Sequence, residues 1–274
     1  MKTLLTRAFS GAVYVILIWG SIIWGPFAFG ILFLFFLILS LLEFYKLALK
    51  AGFKPEKFTF LSVGIFLYLL VLLYSWDYLA PASLLLSLLL LFLIFIVELF
   101  RKETKPFGNI GFSVLGLIYI VIPLSVINLL FYPGLNLSVP YKEILYGFFI
   151  LIWVNDILAY LTGTLFGKHK LFNSISPNKT WEGSIGGAVF SVAGAYVLSL
   201  FFHELNILEW TGLAFIIIIF GTFGDLFESM LKRNLDLKDS GSIMPGHGGV
   251  LDRLDSILFA APFVFIYFAF VINQ

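Results

Sequence analysis

The chain contains no cysteine, which rules out a disulfide framework and any thiolate metal site. It is also short of charge, with Asp, Glu, Lys and Arg supplying only 12% of its 274 residues. A soluble domain carries about 25%, because its surface has to be solvated by water. With 61% hydrophobic residues and a mean hydropathy of +1.03, lipid must cover part of this chain, and a soluble globular protein is excluded. Also missing are any internal repeat and any inverted duplication of the halves, the mark of many transporters.

What the chain has in quantity is long apolar runs. A transmembrane helix needs roughly 20 such residues to cross the hydrocarbon core. Runs at about 9–25, 27–46, 58–76, 79–99, 109–132, 144–166, 184–203, 210–231 and 253–272 predict nine spans. The first two are separated only by Gly25 and Pro26. The basic start, Met1 to Ser10, resembles a secretory signal, but more spans follow and no small-residue cleavage site stands out, so it reads as the first span. Nine spans with the N-terminus inside place every Lys and Arg except Lys142 on the inner side, out of 17 in all. The expected fold is therefore an all-α, polytopic integral membrane protein of about nine transmembrane helices, with a cytoplasmic N-terminus and an outer C-terminus. Single cysteines at Ser176, Ser240 and Asn206 suggest themselves as probes of that orientation. The whole reads as a single membrane domain, with spans up to about residue 140 mainly structural. Residues 144–274 would carry the chemistry, their inner loops 167–183 and 232–252 being rich in Gly, Ser, Asn, Lys and Asp.

An ionisable group inside a span is costly and by default a functional candidate. Asp156, Asp225, Glu228, Asp252 and Asp255 qualify. Glu43 and Glu98 lie near inner span ends beside basic residues and read as ordinary interfacial groups. Asp225 and Glu228 are three apart on one span, and Asp252 and Asp255 three apart on the next, so each pair shares a helix face. Asp225 lies seven residues before Lys232, roughly 10 Å below the inner surface. Carboxylates gathered at one depth call for a cation. Oxygen-only ligands point to Mg²⁺, with room for a second cation; the alternative is an interfacial network with Lys232, Arg233 or Arg253. The intervening segment, Leu235 to Val250, ends in Gly248 and Gly249 directly before a helix start, where backbone N–H groups favour an anion. His247 beside them is either a phosphate donor, a base or a plain loop residue. On the sixth span Asp156, Tyr160, Gly163 and Gly167 form one stripe, which suits close helix packing as well as a site. A polar, Pro-broken loop with Lys179 and Thr180 follows.

Ser229 to Asp255 reads S-M-L-K-R-N-L-D-L-K-D-S-G-S-I-M-P-G-H-G-G-V-L-D-R-L-D. It resembles the signature of the bacterial-type phosphatidate cytidylyltransferases, or CDP-diacylglycerol synthases. Asp156 to Lys168 and S-P-N-K-T-W-E-G from Ser176 resemble a second block of the same family. Asn178 stands where the family often has a second lysine, which lowers the local charge. The resemblance covers about residues 153–256 and implies CTP and phosphatidate as partners in a lipid bilayer, not nucleic acid, with a homodimer compatible. It implies formation of CDP-diacylglycerol and pyrophosphate at the cytoplasmic face of the inner membrane. On this reading Asp225, Asp252, Asp255, Lys179, Lys238 and Arg253 are expected to be catalytic, and Asp225, Asp252, Asp255 and Glu228 to hold the metal. Substrate binding falls to Asp156, Lys168, Ser176, Thr180, Ser229, Lys232, Arg233, Asp239, His247, Gly248 and Gly249. Two other readings compete. A CTP-dependent polyprenol or phytol kinase would use related acids but not so long a signature. A cation transporter should place its acids near the bilayer midplane rather than by one face.

Overall fold

The computed structural model describes residues 2–131, 141–241, 243 and 248–269. The described chain is almost entirely helical. In order it forms α1 (Lys2–Trp24), α2 (Pro26–Lys50), α3 (Lys57–Ser75), a 3₁₀ turn (Pro81–Leu85), α4 (Leu86–Phe100) and α5 (Pro106–Gly116). A π-turn (Leu117–Val121) continues α5 into α6 (Ile122–Leu129). Then come α7 (Tyr141–Phe166), a hairpin of β1 (Lys170–Phe172) and β2 (Ser176–Thr180), α8 (Trp181–Phe201), α9 (Ile207–Arg233) and α10 (Leu251–Tyr267).

Among the described residues each of the nine apolar runs is largely helical, and the protein is an all-α polytopic membrane protein. Seven helical stretches are long and apolar enough to cross a bilayer: Pro26–Lys50, Lys57–Ser75, Pro81–Phe100, Pro106–Leu129, Lys142–Phe166, Trp181–Phe201 and Ile207–Arg233. Two further spans are expected from the apolar runs at either end. They fall on α1, whose described apolar stretch is Phe9–Trp24, and on α10, Leu251–Tyr267. Gly25 explains why the first two runs are two helices: its φ of 110° lies where side-chain-bearing residues are strained, and Pro26 then opens α2. The loop at 167–183 departs from expectation, since it contains the hairpin, paired antiparallel with Lys170 opposite Thr180 and Phe172 opposite Ser176.

The chain divides into two compact units, Met1–Gly134 with Leu235–Leu254, and Leu135–Asn234 with Asp255–Gln274. In the first, Phe29, Phe33, Phe44, Phe60 and Tyr68 are fully buried. Tyr68 donates to the Gly30 carbonyl at 2.8 Å and accepts from Asn128 at 3.0 Å, so its hydroxyl is satisfied within apolar surroundings. Glu98 behaves as expected of a structural group: it accepts from Arg101 at 2.7 Å and from Asn109 at 2.6 Å. In the second unit α8 begins at Thr180, whose hydroxyl accepts from the Gly183 N–H. α9 begins with a capping box between Asn206 and Glu209.

These contacts change which positions suit a topology probe. Asn206 caps α9, and Ser240 is 7% exposed and hydrogen-bonded, so cysteine there would perturb the fold. Asn173, in the hairpin turn, and His203, before α9, are both exposed. With the expected orientation, an impermeant thiol reagent outside intact cells labels His203→Cys and leaves Asn173→Cys unlabelled. Labelling of Asn173→Cys from outside would reverse the topology.

Candidate active site

In the second unit, Asp156 of α7, Lys179 of β2, Asp225 of α9 and Asp255 of α10 form one electrostatically connected group. Lys179 sits on the strand leading into α8, and its Nζ lies 2.6 Å from Asp225 Oδ2. Ser229, one turn after Asp225, faces its Oδ1 at 3.4 Å, and Ser256 Oγ lies 3.4 Å from Asp156 Oδ2. Asp255 accepts from the N–H of Ser256 at 2.7 Å. Four elements of one unit thus contribute linked contacts, with Lys179 and Ser229 on Asp225 and Ser256 on both Asp156 and Asp255. What brings α9 and α10 together at this level is Gly224, beside Asp225: a Cβ there would fall on the backbone carbonyl of Asp255. The stacked rings of Phe220 and Phe263 hold the same two helices further along.

A second constellation lies in the first unit, around the start of α10. Asp252 Oδ2 accepts from Ser240 N and Ser240 Oγ, each at 2.9 Å, and from Gly249 N at 2.7 Å. Glu43 of α2 reaches the same place from over 200 residues away: its two oxygens accept from Val250 N and Leu251 N, both at 3.0 Å. Ser240 Oγ also lies 3.3 Å from Glu43. Two carboxylates therefore take the helix-start N–H groups that the sequence suggests for a phosphate. The reason is the ordinary preference of helix N-termini for negative charge, met here by the chain itself. Gly248, with a φ of 83°, packs against Asp252, and a side chain on Gly249 would collide with Glu43 and Ser240.

The expected site residues thus fall into two sets. Asp156, Lys168, Ser176, Lys179, Thr180, Asp225, Glu228, Ser229, Lys232 and Arg233 belong to the second unit together with Asp255. Lys238, Asp239, Gly248, Gly249, Asp252 and Arg253 belong to the first. Glu228 is buried and pairs with Lys232 at 2.7 Å, one turn along α9. Lys238, Asp239 and Arg253 are exposed, and the Arg253 carbonyl accepts from Tyr14 at 3.2 Å. Thr180 is buried as the α8 cap, close to Gly163 and Gly167, so the glycines of the α7 stripe do serve close packing. His247 lies outside the described residues.

Glu43 and Gly224 are the two residues the sequence did not single out for this role. Glu43 stands beside Lys46 and Lys50, where a carboxylate passes for an interfacial charge, and nothing local marks its distant partners. Gly224 stands directly before Asp225 in F-G-D, so its position was a usable signal.

Oxygen donors without imidazole or thiol suit a hard divalent ion. Among the described residues no three acids converge into a closed metal site, and Asp225 turns to the Lys179 ammonium as its counter-charge.

Fold and site together define a polytopic membrane protein with a mixed carboxylate and ammonium cluster set in its spans. The chain belongs to the cytidylyltransferase family, which matches residues 5–271. A phosphatidate cytidylyltransferase of Staphylococcus haemolyticus is 52% identical over 121 residues, 43% of this chain and 46% of the relative. That of Staphylococcus aureus is 40% identical over 173 residues, 62% of this chain and 64% of the relative. The matches to these two therefore span less than two thirds of their length. That of Bacillus subtilis is 33% identical over 259 residues, 88% of this chain and 94% of the relative.

The geometry predicts distinct outcomes for the two unforeseen residues. Glu43→Gln loses an acceptor for one helix-start N–H and should destabilise by about 1–3 kcal/mol, read as a lower melting temperature in detergent. Gly224→Ala should force α9 from α10 beside Asp225 and Asp255, abolishing activity even where the melting temperature drops little. Wild-type activity in Gly224→Ala would show that this close approach is dispensable.

Proposed function

We propose that the protein is a phosphatidate cytidylyltransferase, joining CTP and phosphatidate to give CDP-diacylglycerol and pyrophosphate. The observation that carries this reading is the Lys179–Asp225 contact at 2.6 Å inside a group of three carboxylates, on a chain that the cytidylyltransferase family matches nearly end to end. Such a group serves a reaction whose difficulty is negative charge.

Phosphatidate brings a phosphate monoester whose second pKa is near 6, so its oxygen is already ionised and needs no strong base. That oxygen attacks the α-phosphorus of CTP. A new P–O bond forms as the bond between the α- and β-phosphates breaks, and pyrophosphate leaves with the electron pair. Charge builds on the α-phosphoryl oxygens and on the leaving group, and fixed cations lower the barrier by stabilising it. Lys179 is the cation best placed to do so, since Asp225 already holds it at the acids. On binding, the triphosphate would compete with Asp225 for the Lys179 ammonium and leave that carboxylate available for a metal. Asp225 and Asp255 are the residues that would hold Mg²⁺, which would supply charge neutralisation for the triphosphate. Asp252 and Glu228 support the start of α10 and the end of α9, with Ser240 and Lys232 as their respective partners.

Arg233, in the same unit as Lys179, is an exposed cation suited to the phosphates of an incoming nucleotide. With the positive-inside orientation these groups face the cytoplasm of a cell with this protein in its inner membrane, where CTP is made. A lipid headgroup would enter sideways from the bilayer. Two copies associating as a homodimer are compatible with this scheme, and no step needs a nucleic acid.

The purified protein in mixed micelles should release pyrophosphate from CTP only when phosphatidate is present, and much more slowly from ATP, GTP or UTP. Pyrophosphate release without lipid, or γ-phosphate transfer to a lipid alcohol, would overturn the assignment. Asp225→Asn and Asp255→Asn should abolish turnover with the protein still folded. Lys179→Gln should lower turnover even at saturating CTP, since a ligand acting in the transition state changes kcat rather than KM alone. Equal losses of activity and melting temperature in all three variants would mark the cluster as structural.

A further inference from the structure

An open cavity of about 730 Å³ lies where α7 ends and α8 begins, lined by Lys168, His169, Lys170, Trp181, Glu182 and Ile185. Its walls are held in place by one carboxylate. Glu182, in the first turn of α8, accepts from the backbone N–H groups of Lys168 at 3.1 Å and His169 at 3.2 Å, and lies 2.6 Å from His169 Nδ1. The Trp181 N–H adds a bond to the His169 carbonyl at 2.9 Å. The turn after α7 is therefore tied to the start of α8, with the exposed Lys168 and Lys170 beside the cavity. On the α8 side the lining is apolar and open, Trp181 being 55% and Ile185 59% exposed. The buried stripe of α8, Gly183, Gly187 and Ser191, points elsewhere.

An ammonium pair beside an exposed tryptophan at a span's end is the pattern of a membrane interface, where indole rings sit at headgroup level. Basic pockets between spans at that level take acidic lipid headgroups. We propose that this cavity is a docking site for the phosphate-bearing headgroup of an acidic glycerophospholipid. Lys168 and Lys170 receive the phosphate, and Trp181 and Ile185 lie along the glycerol and the first acyl carbons. A nucleotide, arriving from water, has no use for an apolar wall turned toward hydrocarbon. The site is linked to the chemistry through the chain: Trp181 follows Lys179 by two residues, and Lys179 contacts Asp225. Identifying the lipid as the substrate phosphatidate rests on the cytidylyltransferase reading, whereas headgroup capture itself needs no turnover.

The test is tryptophan fluorescence of the full-length protein in phosphatidylcholine nanodiscs without CTP. The difference between wild type and Trp181→Phe isolates the Trp181 emission. Phosphatidate brominated near its headgroup should quench that emission more strongly than equally brominated phosphatidylcholine at the same mole fraction. The double variant Lys168→Gln/Lys170→Gln should weaken the phosphatidate titration roughly tenfold or more. Equal quenching by the two lipids would overturn the proposal, as would an excess that survives loss of both lysines. Abolition of the excess by sn-glycerol 3-phosphate or CTP in the water phase would also overturn it, because the cavity would then be a site for soluble phosphates. Failure of the cytidylyltransferase reading would appear in the pyrophosphate assay and leave this measurement unaffected.

Discussion

A carboxylate inside a membrane span has no water to solvate it, so whatever surrounds it must supply protons, dipoles or an opposite charge. Most of the polar architecture of this protein follows from that demand. Glu228 is met by Lys232 one turn away, and Asp225 by Lys179 from a different element. Glu43 and Asp252 are met by backbone N–H groups at the start of α10 and by Ser240. These solutions differ in what they leave open. A carboxylate held by three fixed donors, as Glu43 and Asp252 each are, is committed to structure. One that faces a flexible lysine can exchange that partner for a ligand, so Asp225 is suited to chemistry and Glu43 to holding a helix.

The same demand explains what could be read from the sequence and what could not. The apolar runs are legible because a span's length and composition are set by the bilayer, and among the described residues each of them falls largely on helix. Asp156, Asp225 and Asp255 are legible because an acid in such a run is conspicuous, and Lys179 because it stands in a dense polar block. Glu43 is not legible. Its role depends on N–H groups more than 200 residues away, and beside two lysines its own surroundings suggest a surface charge. Gly248 and Gly249 show the reverse failure. A glycine pair before a helix correctly indicates that the helix start binds an anion, but local sequence cannot say that the anion is the protein's own carboxylate. The hairpin within 167–183 is hidden in the sequence because Pro177 and the polar residues around it mask the short alternation of a strand.

That hairpin has a consequence for catalysis. Lysine is a long and flexible side chain, and holding its ammonium at one point costs conformational entropy. On a free loop Lys179 would add the disorder of its backbone to that cost. Pairing of β1 with β2, and the Thr180 cap that starts α8 one residue later, fix the Lys179 backbone before any ligand arrives. The Asp225 contact then fixes the ammonium. On the proposed function, a triphosphate would meet a cation already placed, and the rearrangement it must drive would be confined to one side chain.

Gly224 makes the complementary contribution from the acids' side. Carboxylates repel, and two helices carrying them would separate unless packing held them together. At Gly224 the absence of a side chain lets the α9 backbone approach the Asp255 carbonyl, and the Phe220–Phe263 stack binds the same helices further along. Apolar packing therefore stabilises a juxtaposition that electrostatics alone would oppose. On the proposed function, a site built in this way would gain affinity for a cation from a repulsion already present in the folded protein, and Lys179 against Asp225 supplies one such charge.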